Sequence, residues 1–587
     1  MFKGFGTKYK VEYEEARVMA AAYNYVEKTN DIAFNVVKNY LNELGVNDDN
    51  IDLKLNMKKE EIPSGLLMKN AEKFIDRVYK LLKSKKNITL FTDLDADGWG
   101  AAVVLVRLLR KAESLLGNKE ELINYVTPTR TEGFGISKKS IDRMMSEFPK
   151  TNVVITADNG TVAIEGVEYA KSLGLEVIIT DHHTPSGEVA DVDILVNHNS
   201  EGDEYPYKEL ISGGTTAWKL MRELYLKYFP YNVAEVDNLI DIQAVTVVSD
   251  VMPLLYENRY YVKEALDSFN QINGKRRRFA WNAIMEELIL RKKLQKNSLI
   301  NEESFGFLFA PIINAQSRVN NSIDLAVDIF LSTDTDEIRK MAKKLVDVNE
   351  QRKEISNAAY DKSNETDFSG KSSVIYRDDS LGDGIIGLLA GKMLEKYYRP
   401  TLVFTESEPG ILKASGRSIP EVDMLEVLMS LDFTYVRGGG HKSAAGISIK
   451  KEDFDDFKAK AEAAFEKAVP DDIRSTVVAD ILIDSDELSI DVVNEIEKYS
   501  PWGQGFRKPL FQVQNLPIDE VRIMGSEKNH LKIISDGMDI IMWNGANNED
   551  DLLGAGCVDV IGSLNKNTFN NQETLQMIIP ENGLTIY

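Results

Sequence analysis

Ile88-Thr-Leu-Phe-Thr-Asp93-Leu-Asp95-Ala-Asp97-Gly98 decides how this 587-residue chain is read. Five apolar or β-branched residues in a row read as a buried strand. Three acids stop that run, and the apolar spacing of Ala101–Leu109 that follows is helical. The same grammar returns twice. Val153-Val-Ile-Thr-Ala leads into Asp158-Asn-Gly160, and Val177-Ile-Ile-Thr leads into Asp181-His182-His183. Helical patterns at Val162–Leu173 and Gly214–Tyr228 and a further apolar run at Ile194–Val196 complete the alternation. Strands alternating with helices predict a mostly parallel α/β sheet. Open parallel sheets bind ligands outside the carboxyl ends of their strands. Three acidic loops after three strands can therefore pool their carboxylates in one crevice, and Asp250 closes a helical pattern further on.

Crowded carboxylates repel one another and raise each other's pKa. Divalent cations remove that conflict. Carboxylates suit Mg²⁺ and Mn²⁺, and imidazole tilts the choice towards Mn²⁺. The chain has five histidines, and two of them, His182 and His183, directly follow an acid at a strand end. Plainer readings exist for each motif alone. Asp93-x-Asp95-x-Asp97-Gly98 opens like an EF-hand loop, but its twelfth position is Val104 rather than Glu and a strand precedes it. Asp158-Asn-Gly160 could be a turn, and Asp250 a helix cap. Their joint occurrence in one α/β segment favours a metal centre.

Outward from this segment, residues 1–85 read mostly as helix, through Ala16–Val26, Ala33–Leu44 and Leu67–Leu82. A helical connector spans 256–360, with a strong stretch from about Asp324 to Ala358. Residues 361–470 form a second α/β segment, and 471–587 read as short strands of a small β-barrel. The expected architecture is α/β and multidomain, with a catalytic segment over 86–255. Composition agrees, with 43% hydrophobic and 28% charged residues. No run approaches the ~20 apolar residues of a membrane span. No signal peptide is visible, and the single Cys557 excludes a disulfide scaffold and fits a cytoplasmic location without membrane attachment.

Taken together, these motifs resemble the DHH phosphoesterase superfamily and, within it, the RecJ-type single-strand-specific exonucleases. D-x-D-x-D-G lies at Asp93–Gly98, D-x-G at Asp158–Gly160, D-H-H at Asp181–His183, and the last acid at Asp250. The likeness extends through Pro128-Thr-Arg130-Thr-Glu-Gly-Phe134-Gly, Ser212-Gly-Gly-Thr-Thr-Ala-Trp-Lys-Leu220, Pro311-Ile-Ile-Asn314-Ala-Gln-Ser-Arg318 and Asn349-Glu-Gln-Arg352. It continues through Ser415-Gly-Arg417, Gly438-Gly-Gly-His441 and Pro501–Phe511. Departures are Ile312 for an expected Arg, Phe134 for Tyr, and Gly382 near an expected His.

The resemblance implies a parallel-sheet DHH domain, a long connecting helix, a DHH-associated domain and an OB-like barrel. It also implies hydrolysis of single-stranded DNA to 5′-mononucleotides in the 5′→3′ direction, in recombination or repair, with two Mn²⁺ or Mg²⁺ ions. The implied ligands are Asp93, Asp95, Asp97, Asp158, His182 and Asp250, with Asp158 shared between the ions. Alternation along an extended segment would aim Asp93, Asp95 and Asp97 at one spot. Asp181 is implied as a ligand or as the partner of an imidazole, and His183 as the group at the scissile phosphate. Arg130, Ser415 and Arg417 match positions that hold a 5′-phosphate. Phe134, Asn314, Arg318, Gly439, Gly440 and His441 are the remaining candidates for the strand. A helicase or single-strand-binding protein is the expected cooperating partner.

The net charge of −23 argues against electrostatic coating of nucleic acid. Residues 471–587 hold eight Lys and Arg against twenty Asp and Glu, so half of the excess is local. Lys275–Lys296 is basic, with Phe279 and Trp281 interleaved, and is either a nucleic-acid face or a charged helix face. Two other functions compete with the exonuclease. One is hydrolysis of short oligoribonucleotides or cyclic dinucleotides, and the other is a non-catalytic nucleic-acid scaffold.

Overall fold

Strand β1 (Ile88–Thr92) is buried at every position, as is β3 (Val153–Ala157). Continuous apolar runs of this kind suit strands covered on both faces. With β2 (Ile123–Val126), β4 (Glu176–Asp181) and β5 (Ile194–Asn197) they form a wholly parallel sheet in the order β2-β1-β3-β4-β5. The strand order reverses between β1 and β3, which opens a crevice at their carboxyl ends. Thr92 pairs with Ala157, so the chain releases Asp93 and Asp158 side by side at that crevice. The computed structural model describes residues 32–587 except Thr131, Gly133, Phe134, Ser186, Ser526, Asn570, Asn571 and Glu581. The helical pattern at Ala16–Val26 lies outside these residues.

Helix Ala96–Leu115 is buried along most of its length. Trp99 packs edge-on against Phe330 at 4.9 Å and Trp281 at 5.9 Å, and its indole N–H donates to Ala326 O at 2.8 Å. At Gly100 an added Cβ would run into the Thr246 methyl, so this glycine lets helix Ile240–Ser249 lie close against the Ala96 helix. Asp250 caps the end of that second helix and is thereby delivered to the crevice.

The stretch expected as one helix from Asp324 to Ala358 is two, Asp324–Leu331 and Thr335–Ser363. Asp334 breaks it. Its side chain accepts from Asp336 N and Glu337 N, at 2.8 and 3.1 Å, and so caps the second helix. The second sheet holds β6 (Val374–Arg377), β7 (Thr401–Glu408), β8 (Ile411–Arg417), β9 (Arg437–His441) and β10 (Ala444–Lys450) in the order β6-β7-β8-β10-β9. Only β6 and β7 pair in parallel, and β9 is an exposed, glycine-rich edge. These sheets and the connector lie in one compact unit, residues 57–471.

Residues 32–56 and 472–587 form the other unit. Its strands are β11 (Ile481–Leu482), β12 (Phe511–Pro517), β13 (Glu520–Met524), β14 (His530–Ser535), β15 (Met538–Met542), β16 (Cys557–Phe569), β17 (Gln572–Ile579) and β18 (Leu584–Ile586). They run β11-β12-β16-β17-β15-β14-β13, with β18 also on β16. The expected OB-like β domain is present, and among the described residues it is open, since β11 and β13 at the two ends of the path do not pair. The long β16 joins two half-sheets, pairing β12 through Cys557–Gly562 and β17 through Ser563–Phe569. Helix Ile32–Glu43 belongs here, and Tyr40 donates to Arg507 O at 2.7 Å. No helix among the described residues is long and apolar enough to cross a membrane.

Candidate metal centre and anion cleft

The acidic loop after β1 does not stay extended. Asp95 is the N-cap of the Ala96 helix, and its Oδ1 accepts from Asp97 N and Gly98 N, both at 3.0 Å. Asp97 already lies in the first helical turn. The three acids therefore split into two sets, and strand-like alternation is not what directs them. Asp97 is held by the N-terminus of helix Gly213–Tyr228, accepting from Gly213 N at 2.6 Å and Gly214 N at 2.9 Å. Free N–H groups and the helix dipole suit a carboxylate there.

Asp158 leaves β3 with φ of +65°, a left-handed conformation uncommon outside glycine, and it is only 2% exposed. Backbone strain of this sort collects at functional sites. His182 aims Nε2 at three acids: Asp158 Oδ1 at 3.2 Å, Asp97 Oδ2 at 3.6 Å and Asp250 Oδ2 at 3.6 Å. Three groups of ligand atoms converge within 4.8 Å: Asp158 with His182 and His183, Asp97 with His182 and Asp250, and Asp93 with Asp95 and Asp158. Asp158 and His182 each belong to two of them.

Asp181 is engaged differently. Its Oδ1 takes the His183 ring Nδ1 at 2.7 Å and the His182 N–H at 2.8 Å, and its Oδ2 accepts from Thr161 N at 3.0 Å. It belongs to none of the converging groups among the described residues. The pairing leaves Nε2 of His183 as the ring nitrogen not held by Asp181.

Electrostatics agree with a site built for cations. Burial, then Asp97 and Asp95, push Asp158 well above the ordinary carboxylate range. Burial and Asp95 lift Asp93 to about 7, and burial and Asp97 lift Asp250 to about 8. Burial also raises Asp97, against the pull of His182. Asp181 runs the other way. Burial would raise it, yet the His183 hydrogen bond takes it down to about 2 and lifts His183 to about 10. Among the described residues, Asp158 Oδ1 and Asp250 Oδ2 are buried without a hydrogen bond. Orphaned carboxylate oxygens around two imidazoles are the donor set that Mn²⁺ or Mg²⁺ takes, and the residues present fit such ions.

Beside this centre lies a cleft of about 790 Å³ whose lining brings Arg130, Ser415, Arg417, Gly439 and Gly440 together. Arg130 donates to Ser317 O at 3.0 Å, and Arg417 to Gly416 O at 2.7 Å. Asn314, Arg318 and His441 do not line it. Arg318 stands behind, donating to Gly384 O at 3.2 Å. Burial, then the like charges of Arg130, Arg352 and Arg417, lower it to about 10. Arg130, Lys413, Arg417 and Arg437 share the lining with Glu132, Glu165, Asp383 and Glu408, and the planar guanidinium forks of Arg130 and Arg417 are the groups there suited to a phosphate. Lys413 lies in none of the sequence motifs, while Arg352 and the paired glycines Gly213 and Gly214 lie in motifs that gave them no role at the site. Phe134 lies outside the described residues. Ile312 is core, 1% exposed, and a Cβ at Gly382 would meet open space.

Four of the eight cations in Lys275–Lys296 have acid partners. Lys275 pairs with Glu264, Arg278 with Asp241, Arg291 with Asp347 and Lys293 with Glu350. Trp281 is wholly buried and cannot stack on a base. Half of its cations and its tryptophan therefore serve the fold.

A parallel sheet that gathers acids and two histidines at its switch point, beside an arginine cleft, defines the class: a divalent-metal phosphoesterase architecture. Comparison with known proteins agrees. Residues 87–246 match the sequence model of the DHH family N-terminal domain, 370–467 the DHHA1 domain, and 479–581 the RecJ OB domain. The chain is 28% identical to the single-stranded-DNA-specific exonuclease RecJ of Bacillus subtilis over 526 residues, covering 88% of this chain and 63% of that protein. It is 29% identical to the Escherichia coli protein of the same description, covering 87% and 90%. The crystal structure of Thermus thermophilus RecJ with Mn²⁺ superposes with a TM-score of 0.75 at 24% identity, over 92% of this chain and 74% of that one. The chain belongs to the RecJ-type family of the DHH superfamily.

Proposed function

We propose that this protein is a metal-dependent exonuclease that hydrolyses single-stranded DNA from its 5′ end to 5′-mononucleotides. The convergence of three ligand groups at the β1/β3 crevice, with the arginine cleft alongside, is the observation that carries the reading. The ligands are Asp93, Asp95, Asp97, Asp158, His182 and Asp250, which hold two Mn²⁺ or Mg²⁺ ions. Asp158, which belongs to two of the groups and has two carboxylate oxygens to offer, would serve both ions. The ions, when bound, supply the charge that neutralises these acids and the phosphate.

The protein's own groups do the rest. Gly213 N and Gly214 N fix the Asp97 carboxylate. Asp181 fixes the His183 ring through Nδ1 and favours its protonated form. His183 then presents Nε2–H to the 3′-oxygen of the departing nucleotide and protonates it. Arg130, Ser415 and Arg417 hold the terminal 5′-phosphate, with Arg318 adding positive potential from behind. Gly439 and Gly440 offer backbone to the strand, and Asn314 and His441 flank it.

In this division residues 86–255 form the catalytic domain, 256–360 the connector, 361–470 the substrate-binding domain and 471–587 an OB-like domain, while the region before 86 divides, 32–56 going with the OB-like unit and 57–85 with the catalytic one. The setting is cytoplasmic DNA recombination or repair, with a helicase or single-strand-binding protein supplying or guarding the strand. The test is Asp158→Ala. It should keep the wild-type circular dichroism spectrum and lose cleavage of a single-stranded oligonucleotide in Mn²⁺; retained cleavage refutes the assignment.

A further inference from the structure

One large aromatic side chain stands in solvent on a turn that packs against the helix ending in Asp250. Phe305–Phe309 is a single π-helical turn that runs directly into helix Ala310–Asn320. Turns of this kind are rare and concentrate at functional sites. Its two end residues are core: Phe305 and Phe309 are fully buried and stack edge-on or tilted against Phe269, each at 5.1 Å. The middle one is not, since Phe307 is 83% exposed. Its neighbour Gly306 lies against Val248, where an added Cβ would stand 3.3 Å from a Val248 methyl. Val248 is two residues before Asp250, the acid that faces His182. Val251, the next residue, is 62% exposed and has φ of +56°, strained for a β-branched side chain. A turn anchored by two buried rings, and packed against the helix that ends in Asp250, therefore holds a third ring in water.

We propose that Phe307 is a positioning residue for the substrate strand, a platform on which a nucleobase next to the scissile phosphate stacks. The inference rests on the exonuclease reading and deepens it. The chemistry fits the occupant, because every base offers a π-face and such stacking tolerates any sequence. Anchoring matters as well. The π turn cannot shift without disturbing Phe305 and Phe309, so the ring is held in place before the strand arrives and little order is lost on binding. Arg318 lies on the helix that continues this turn, so the base platform and the arginine cluster are fixed to one element.

The test compares wild type, Phe307→Ala and Phe307→Trp on two substrates in Mn²⁺. One is a 5′-phosphorylated single strand and the other is bis(p-nitrophenyl) phosphate, a diester without bases. A stack of ordinary strength predicts that Phe307→Ala raises KM on the strand by roughly 5- to 100-fold. It should leave hydrolysis of the small diester unchanged, and Phe307→Trp should restore the strand KM. In wild type, one abasic nucleotide scanned along the strand should reproduce the loss at one position, with no further loss there in Phe307→Ala. An unchanged strand KM in Phe307→Ala, or an equal loss on both substrates, overturns the platform while leaving the exonuclease reading intact. A wild-type protein that hydrolyses the small diester but not the strand overturns that reading and the platform with it.

Discussion

Gly213→Ala should disable the metal centre while sparing the fold. A Cβ at Gly213 would lie 2.6 Å from Asp158 Cγ and 2.7 Å from Asp158 Cβ, against 3.4–4 Å in ordinary contact. Something must give by about 0.8 Å, and a misplacement of about 1 Å can cost ~10²-fold in rate. Asp158 has little room to give it: the residue is buried, and its own N–H is tied to Thr180 O at 3.0 Å. The helix start cannot retreat either without releasing Asp97 from Gly213 N and Gly214 N. Either movement degrades a ligand that belongs to the converging groups. We expect kcat on single-stranded DNA to fall on the order of 10²-fold and more Mn²⁺ to be needed for half-maximal activity. Overpacking of this kind costs ~1–3 kcal/mol, so the variant should still unfold cooperatively. Steady-state kinetics across a Mn²⁺ titration, with a thermal melt alongside, check this. A variant within twofold of wild type in kcat and in Mn²⁺ requirement would refute the packing of Asp158 against the Gly213 helix.

Other outcomes follow from the same geometry. Asp93 at about 7 and Asp250 at about 8 bind protons more tightly folded than unfolded, where carboxylates titrate near ~4. Their contribution to stability is complete below that value and is lost as pH rises through 7–8, so the metal-free protein should melt lower at pH 8.5 than at pH 6. Mn²⁺ binds the deprotonated acids and should raise Tm more at pH 8.5 than at pH 6; an equal or opposite ordering counts against the site. Lys219 Nζ, fully buried, holds Glu257 at 2.6 Å and Pro63 O at 2.8 Å. Lys219→Met strands the Glu257 charge and should cost ~3–5 kcal/mol in urea unfolding, with Lys219→Met/Glu257→Gln recovering part of it. Replacing Lys275, Arg278 and Arg291 by Gln should lower Tm without weakening strand affinity, as fluorescence anisotropy would show, because each already serves an internal acid.

Sequence periodicity carried the architecture well where one rule governed. The runs of β1 and β3 are buried on both faces, and only a doubly covered strand tolerates Ile-Thr-Leu-Phe-Thr or Val-Val-Ile-Thr-Ala. The acids that end them converge because β1 and β3 are neighbours at the switch point, an adjacency no local pattern records. Competing local rules misled in three places. Asp95 caps a helix rather than continuing a strand, Asp334 interrupts a helical pattern, and Trp281 in its basic setting is core rather than surface. Each involves a polar or charged residue whose partner is distant in sequence or depends on where a helix starts. The OB-like domain was legible, and its closure was not, for a related reason. Short strands specify local pairing, and whether the two ends meet depends on how far β16 can serve two half-sheets. In the site, the roles that need distant partners stayed hidden: Arg352 behind Arg318, and Gly213 behind Asp97 and Asp158.

One measurement goes to the centre of the account. The full-length protein is incubated with a long single strand labelled at its 5′ end or at its 3′ end, in Mn²⁺ and in chelator. The account predicts that the 5′ label leaves at once as mononucleotide while the 3′ label stays on progressively shorter strands, and that chelator stops both. Early release of the 3′ label, or digestion that persists in chelator, would contradict it.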